Sequence, residues 1–406
     1  MARPASRVSR VVVAGPLAPF AEAYSAELRK RGYAPHSAVH QLRQMGRLSR
    51  WLEAGGYGAS EASRDLVEGF LVWQRAGGRH RQQSSRPGLV CLLEVLRGLG
   101  VVAGQEPATG SPTDPLLASF ERYLRAERGL AAGTVRGYLT HARRFLDGLP
   151  SPGGPAALSA GAVTGAVLRK AGSGVSVSAT QYFVSGLRAF LHFCFLEGLA
   201  ETDLSRAALA VTGRRRSSLP RGISREDAQA LLGACDRRSA LGRRDHALIT
   251  LLLRLGLRRG EVARLRLDDI DWRAGEMVVR GKGGREDRLP LPVDVGQAIA
   301  SYLRRGRPRS GRREVFLRAR APYGPIAPGT VSSTVRRACG RAGIPEVGAH
   351  RLRHTTACEM VKERVPLARI GQVLRHRSLQ STAIYARVDL VQLRPLAAPW
   401  PVGGAE

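Results

Sequence analysis

The first half of the chain resembles itself. Gly32 corresponds to Gly129, Ser37 to Thr134, Leu42 to Leu139, Leu48 to Phe145 and Leu52 to Leu149. A second stretch, L-V-C-L-L-E-V-L-R-G-L-G at 89–100, is echoed by L-R-A-F-L-H-F-C-F-L-E-G at 187–198. Each copy reads as four short helices with a basic or Ser/Gly-rich loop before the last. In the first copy, apolar residues keep helical spacing from Phe20 to Leu52 with a break at Gly32 and Pro35, then from Asp65 to Trp73 and from Pro87 to Leu99. Two readings stand. Any two four-helix units look alike, or the chain carries tandem copies of one small all-helical DNA-contacting unit. On the second reading, Thr134 and Thr180 are N-caps of helices presented to a phosphate backbone. The Gly/Pro/Ser/Thr-rich stretch at 104–115 and the basic stretch at 205–222 read as linkers, and residues 1–15 as a loose tail. Three parts follow, at 15–105, 113–210 and 220–395, within the two or three domains that 406 residues suggest.

The third part is mixed. Ser224 and Asp227 form a capping signal before an apolar segment. Asp245 to Leu255 and the shorter Glu261 to Leu267 read as helices. Strands are expected at 277–280, 288–291 and 315–318, the first two joined as a hairpin by G-K-G-G-R-E-D. Further helices are expected at 330–342, 351–363, 366–375 and 380–387. The fold class is mainly α and multidomain, with a small antiparallel sheet in the last part.

Charge narrows the partner. The chain has 64 Lys and Arg against 33 Asp and Glu, a net charge of +31. Only Lys30, Lys170, Lys282 and Lys362 are lysines. A GC-rich genome explains arginine in place of lysine, but not the excess of base over acid. A polyanion partner follows, with nucleic acid first and an anionic membrane second. No apolar run reaches spanning length, and V-V-V-A-G-P-L-A is too short for a signal peptide. The five cysteines are scattered without C-x-x-C spacing, which fits a reduced, cytoplasmic protein without a zinc module.

The chemistry concentrates between His350 and Tyr385. His350 and Arg353 are three residues apart and share a helix face. His376 follows an apolar-periodic segment, and Tyr385 comes nine residues later. A cation, two imidazoles and a phenol suit attack on a phosphodiester. His350 and His354 also have the i, i+4 spacing of a zinc pair. However, Arg351 stands where H-E-x-x-H needs its glutamate, and two arginines beside a dication are unfavourable.

The motifs L-G-L-R-R-G-E-V, G-K-G, H-R-L-R-H, L-R-H-R-S-L and A-I-Y-A occur in this order. Together they resemble the tyrosine recombinases of the phage-integrase family, over roughly 113–390. The resemblance implies a helical core-binding (SAM-like) domain followed by a mixed catalytic domain. It assigns the family's arginines to Arg258 and Arg353, its hairpin lysine to Lys282, its histidines to His350, as the base near the tyrosine, and His376, as a donor to the phosphate, and its nucleophile to Tyr385. Arginine, with a pKa above about 12, is a poor proton donor, so a lysine at the hairpin turn suits the acid's task. Glu261 falls on an acidic position read as structural, orienting a basic neighbour. The sequence departs from the family at Gly260, often Ser, and at Arg375, often Gly. The implied activity is site-specific cleavage and rejoining of double-stranded DNA through a 3'-phosphotyrosine, for integration, excision or transposition of a mobile element. No cofactor or metal is implied. The implied assembly is a homo- or hetero-tetramer on paired sites, with room for other recombinases as partners and no membrane. The extra N-terminal unit resembles longer, transposon-type members. A non-cleaving accessory protein on the same fold and a topoisomerase-like relaxase are the alternative readings.

Overall fold

The computed structural model describes residues 5–8, 11–76, 86–102, 114–149, 158–212, 222–281, 285–376, 382 and 385. The chain divides into two compact units, one made of 1–104 with 218–406 and the other of 105–217.

The second unit is helical throughout its described residues. Helix α5 (Asp114–Arg122) runs into a π-helical turn at 123–127, followed by α6 (Ala132–Asp147), α7 (Ala160–Gly172) and α8 (Val177–Leu196). Phe120, Phe145, Phe183, Phe190 and Phe193 supply the bulk of its core. The expected capping roles fall on other residues. Thr134 lies inside α6, whose N-cap is Ala131, and Thr180 is buried inside α8, where Ser176 caps by accepting from the Ala179 amide at 3.3 Å. In α8 the serine immediately before the first turn takes the role because only the N-cap side chain reaches the free amides, while α6 starts without a side-chain cap.

In the other unit, four helices open the chain: α1 (Ala21–Lys30), α2 (Pro35–Ala54), α3 (Arg64–Ala76) and α4 (Arg86–Gly98). Gly32 turns the chain between α1 and α2 at φ +80°. Before them, residues read as a loose tail form a hairpin, β1 (Ala5–Val8) with β2 (Val11–Ala14), which packs on α2. In V-V-V-A every residue is apolar, so the two-residue period was hidden in the sequence. The structure restores it: Val11 and Val13 are buried while Val12 is 62% exposed. Burying each valine is worth roughly 1.5–3 kcal/mol.

The remainder of that unit holds α9 (Arg225–Gly233), α10 (Ala240–Leu255), α11 (Arg259–Arg264), α12 (Val293–Arg305), α13 (Pro328–Ala342), α14 (Ala349–Lys362) and α15 (Leu367–Val373). Ser224 caps α9 as its sequence signal implied, accepting from the Asp227 amide at 3.0 Å. The sheet is antiparallel in the order β3 (Ile270–Asp271), β4 (Glu276–Arg280), β5 (Glu286–Pro290). The expected strand at 315–318 is not in it. Val315, Phe316 and Leu317 are fully buried, and their backbone groups pair singly instead of in a ladder. Val315 donates to the Leu265 carbonyl, the Leu317 amide to the Tyr302 hydroxyl, and Phe316 accepts from Ile326. A short all-apolar run is buried either way, and its pattern does not reveal its partners.

The core lies around α10, whose inner residues from Ala247 to Leu252 are almost fully buried. Thr356 of α14 donates to the Leu253 carbonyl at 2.8 Å, fastening α14 to the end of α10. This joint positions the site.

Candidate active site

Helix α10 ends at Gly256, in the left-handed region at φ +56°. A Cβ there would stand 2.6 Å from Leu374, so glycine is required twice over, by conformation and by space. The turn delivers Arg258 to the N-terminus of α11. Its amide donates to Glu261 Oε2 at 2.8 Å, and its Nη1 donates to Oε1 of the same carboxylate at 2.7 Å. A third bond runs from Arg258 Nη2 to the Arg375 carbonyl at 3.1 Å. One side of the guanidinium is thus pinned, while the side chain remains 41% exposed.

Glu261 is 4% exposed. Burial pushes its carboxyl up, but Arg375 and Arg258 override this and hold it below its ordinary value. Arg375 donates to Glu261 Oε2 at 2.8 Å, with its own side chain 5% exposed. Its backbone is left-handed at φ +55°, which explains why glycine suits this position.

Arg353, on the inner face of α14, is 2% exposed. Its two terminal nitrogens donate to the carbonyls of Gly256 and Leu374. Burial, then the nearby Arg258 and Arg375, pull its pKa down to about 10. Burial and then Arg353 and Arg258 lower both His350 and His376, so Arg258, Arg353, His350 and His376 share one electrostatic neighbourhood.

Tyr385 is 1% exposed, packed with Ala357, Val361, Ile370 and Leu374. Its hydroxyl lies 2.6 Å from His354 Nδ1. Burial pushes the phenol up to about 12 and pulls His354 down to about 4, so at neutral pH the phenol donates to a neutral imidazole. The His350 and His354 rings meet edge to face with centroids 4.5 Å apart. His376 stacks parallel to Tyr385 at 6.3 Å and shares a 2.6 Å hydrogen bond with the Thr382 hydroxyl. It too is pulled down to about 4, by burial and then by Arg353 and Arg258.

The structure therefore gathers Arg258, His350, Arg353, His376 and Tyr385. Lys282 lies outside the described residues; the described residues on either side of that stretch meet where the Gly281 amide donates to the Arg285 carbonyl at 2.8 Å. Two residues that sequence reasoning did not place here are His354 and Arg375. The spacing of His354 from His350 was visible, but it was weighed only as a metal pair. Arg259, next in the chain to Arg258, points elsewhere, toward Ser332 on α13.

The model of the Phage integrase family matches residues 221–390. "Putative integrase/recombinase y4rA" of Sinorhizobium fredii is 39% identical over 398 residues, 95% of each chain. Tyrosine recombinase XerD of Mycobacterium tuberculosis is 32% identical over 301 residues, 70% of this chain and 96% of XerD. Among solved structures, a lambda integrase dimer bound to a COC' core site shares the fold with a TM-score of 0.52 at 17% identity, over 76% of this chain and 87% of that one. A helical frame with a three-stranded antiparallel sheet, together with these relatives, establishes that the chain belongs to the phage integrase family of tyrosine recombinases.

Proposed function

We propose that this enzyme cuts and rejoins double-stranded DNA at specific sites of a mobile element, with Tyr385 as its nucleophile. The carrying observation is the 2.6 Å contact between Tyr385 and His354 beside two arginines that, among the described residues, face no carboxylate except Glu261. Tyr385 Oη attacks phosphorus, its proton passing to His354 Nδ1. The bond from phosphorus to the 5' sugar oxygen breaks, and a 3'-phosphotyrosine remains. The leaving oxygen takes a proton, for which Lys282 is the donor. Arg258, through its open edge, and Arg353, through the N–H groups not bound to carbonyls, stabilise charge on the nonbridging oxygens. His376 donates to the same phosphate, and His350 supports His354 rather than contacting the tyrosine.

Because the phosphotyrosine bond conserves the energy of the phosphodiester, a hydroxyl from a second strand reverses the step and reseals DNA without ATP. In the described arrangement Tyr385 is buried, so attack requires the scissile phosphate to reach it while its contact with His354 is kept. Three modules at 15–105, 113–210 and 220–395 serve this chemistry, with phosphate contacts supplying most affinity. The working assembly is a tetramer on paired sites, of this chain alone or with related recombinases. XerH and lambda integrase have been solved on DNA substrates, the latter also as a tetramer on a Holliday junction.

Nicked duplexes carrying the ends of the native element test the proposal. A denaturation-resistant protein–DNA adduct is expected with wild type and not with Tyr385→Phe. Tight binding without an adduct, even with related recombinases added, would favour a non-cleaving accessory protein.

A further inference from the structure

Away from the active site, the N-terminal helices meet the loops between α12 and α13 within one compact unit. Gly32 lies against Tyr323 so closely that a Cβ on Gly32 would be 2.5 Å from the ring. Ala321 packs on the apolar core of the N-terminal helices. Beside this contact is a cleft of about 720 Å³. Its lining includes Lys30, Arg31, Arg309, Arg312 and Arg318, and no carboxylate.

These cations differ in their freedom. Arg31 is committed, bonded at 2.7 Å to both Glu27 and Glu94. Lys30 reaches Glu27 only at 3.9 Å and is 82% exposed. Arg309, Arg312 and Arg318 are exposed, and none has a carboxylate partner among the described residues. The backbone that carries them is nonetheless fixed. Arg307 donates through Nη2 to the carbonyls of Arg312 at 2.6 Å and Glu314 at 3.0 Å, and through Nε to Val315 at 3.2 Å. The Arg318 amide donates to the Gly324 carbonyl at 2.8 Å, closing the turn that carries Tyr323. Elsewhere in this unit exposed arginines do find carboxylates, as Arg313 finds Asp268, Arg254 finds Asp294 and Arg288 finds Glu276.

Three unpaired guanidiniums held around one concavity repel each other until an anion enters. We propose that this cleft binds the phosphate backbone of duplex DNA flanking the cleavage site, as a second contact separate from the active site. None of its lining residues belongs to the catalytic cluster, so this contact adds affinity without touching the chemistry. The open, multi-cation lining suits successive phosphates of a polyanion better than one small anion, which needs donors converging on a point. The inference rests on the DNA reading above.

The test measures the salt dependence of binding for full-length wild type and the triple variant Arg309→Gln/Arg312→Gln/Arg318→Gln. Two duplexes are used, one confined to the cleavage site and one extended on both sides by several helical turns. Each lost phosphate contact lowers the slope of log affinity against log salt by roughly 0.9. The expected drop is therefore roughly 2–3 on the extended duplex, with little change on the short one. Adduct formation on a short nicked duplex is expected to stay at the wild-type rate, which also verifies folding. Arg237→Gln/Arg238→Glu, at exposed side chains outside the cleft, makes the same change of three charges and serves as the control for net charge. An unchanged slope in the triple variant, or an equal drop on both duplexes, overturns the cleft assignment while leaving the enzyme reading intact. Failure of wild type to bind either duplex overturns the enzyme reading itself.

Discussion

The arginines of the candidate active site and those of the cleft share a charge and differ in surroundings. Arg353 is buried and bonded to two carbonyls, and the Arg375 side chain is 5% exposed and bonded to Glu261, with its Nε left unpartnered. Arg309, Arg312 and Arg318 are exposed and free of carboxylates among the described residues. A buried charge is costly unless every donor is satisfied, but once fixed it acts on a transition state without reorganising. An exposed arginine costs little to hold and is screened by salt. Buried arginines should therefore govern rate and stability, and exposed ones affinity and its salt dependence.

The largest effect that separates these regimes is expected from Arg353→Ala. Cleavage should fall by roughly 10²–10³ through loss of a transition-state contact. Stability should also fall, because the Gly256 and Leu374 carbonyls lose their donor, at roughly 1–3 kcal/mol for each buried unpaired group. Single-turnover cleavage and denaturant titration measure the two parts. A variant that loses DNA affinity but keeps rate and stability would erase the distinction between the two regions.

Glu261→Gln comes next. It removes the carboxylate shared by Arg258 and Arg375 and leaves a buried cation, at a cost of roughly 3–5 kcal/mol. Denaturation midpoints should show this, with slower cleavage because Arg258 is no longer held. An unchanged midpoint would mean that the shared carboxylate does not support the cradle.

His354→Phe should keep the packing around Tyr385 but remove the proton acceptor. Cleavage is expected to slow by about 10². The pH–rate profile should lose its acidic limb, a change that packing alone would not produce. The smallest effect concerns pH and stability. His354 and His376 are pulled from an ordinary 6.5 to about 4 in the folded chain. Unfolded chains therefore take up protons first as pH falls. The stabilising contribution is complete above about 6.5 and is lost progressively toward pH 4. Thermal midpoints across this window should decline, and the decline should be shallower in His354→Asn/His376→Asn. A rise on acidification would have the wrong sign for buried neutral imidazoles.

What the sequence made legible follows from the range of each interaction. Arg258, His350, Arg353, His376 and Tyr385 were legible because their motifs are local, each fixed by a helix or a turn. The bond from His354 to Tyr385 spans 31 residues, and the burial of Arg375 depends on Glu261, 114 residues earlier. Neither partner can be deduced from spacing. The helices were legible through their period. The β1–β2 hairpin and the 315–317 run were not, since a wholly apolar stretch carries no phase. Packing of the N-terminal helices against the turn at Tyr323 left no signal at all, because Gly32 and Tyr323 meet only in three dimensions.

The most direct test of the central claim is to locate the covalent bond. The adduct formed on a nicked duplex would be digested with nuclease and protease, and the nucleotide-bearing peptide sequenced by mass spectrometry. A nucleotide phosphate is expected on Tyr385 and on none of the other eight of the chain's nine tyrosines. A nucleotide on any other residue, or an adduct that survives Tyr385→Phe, would contradict it.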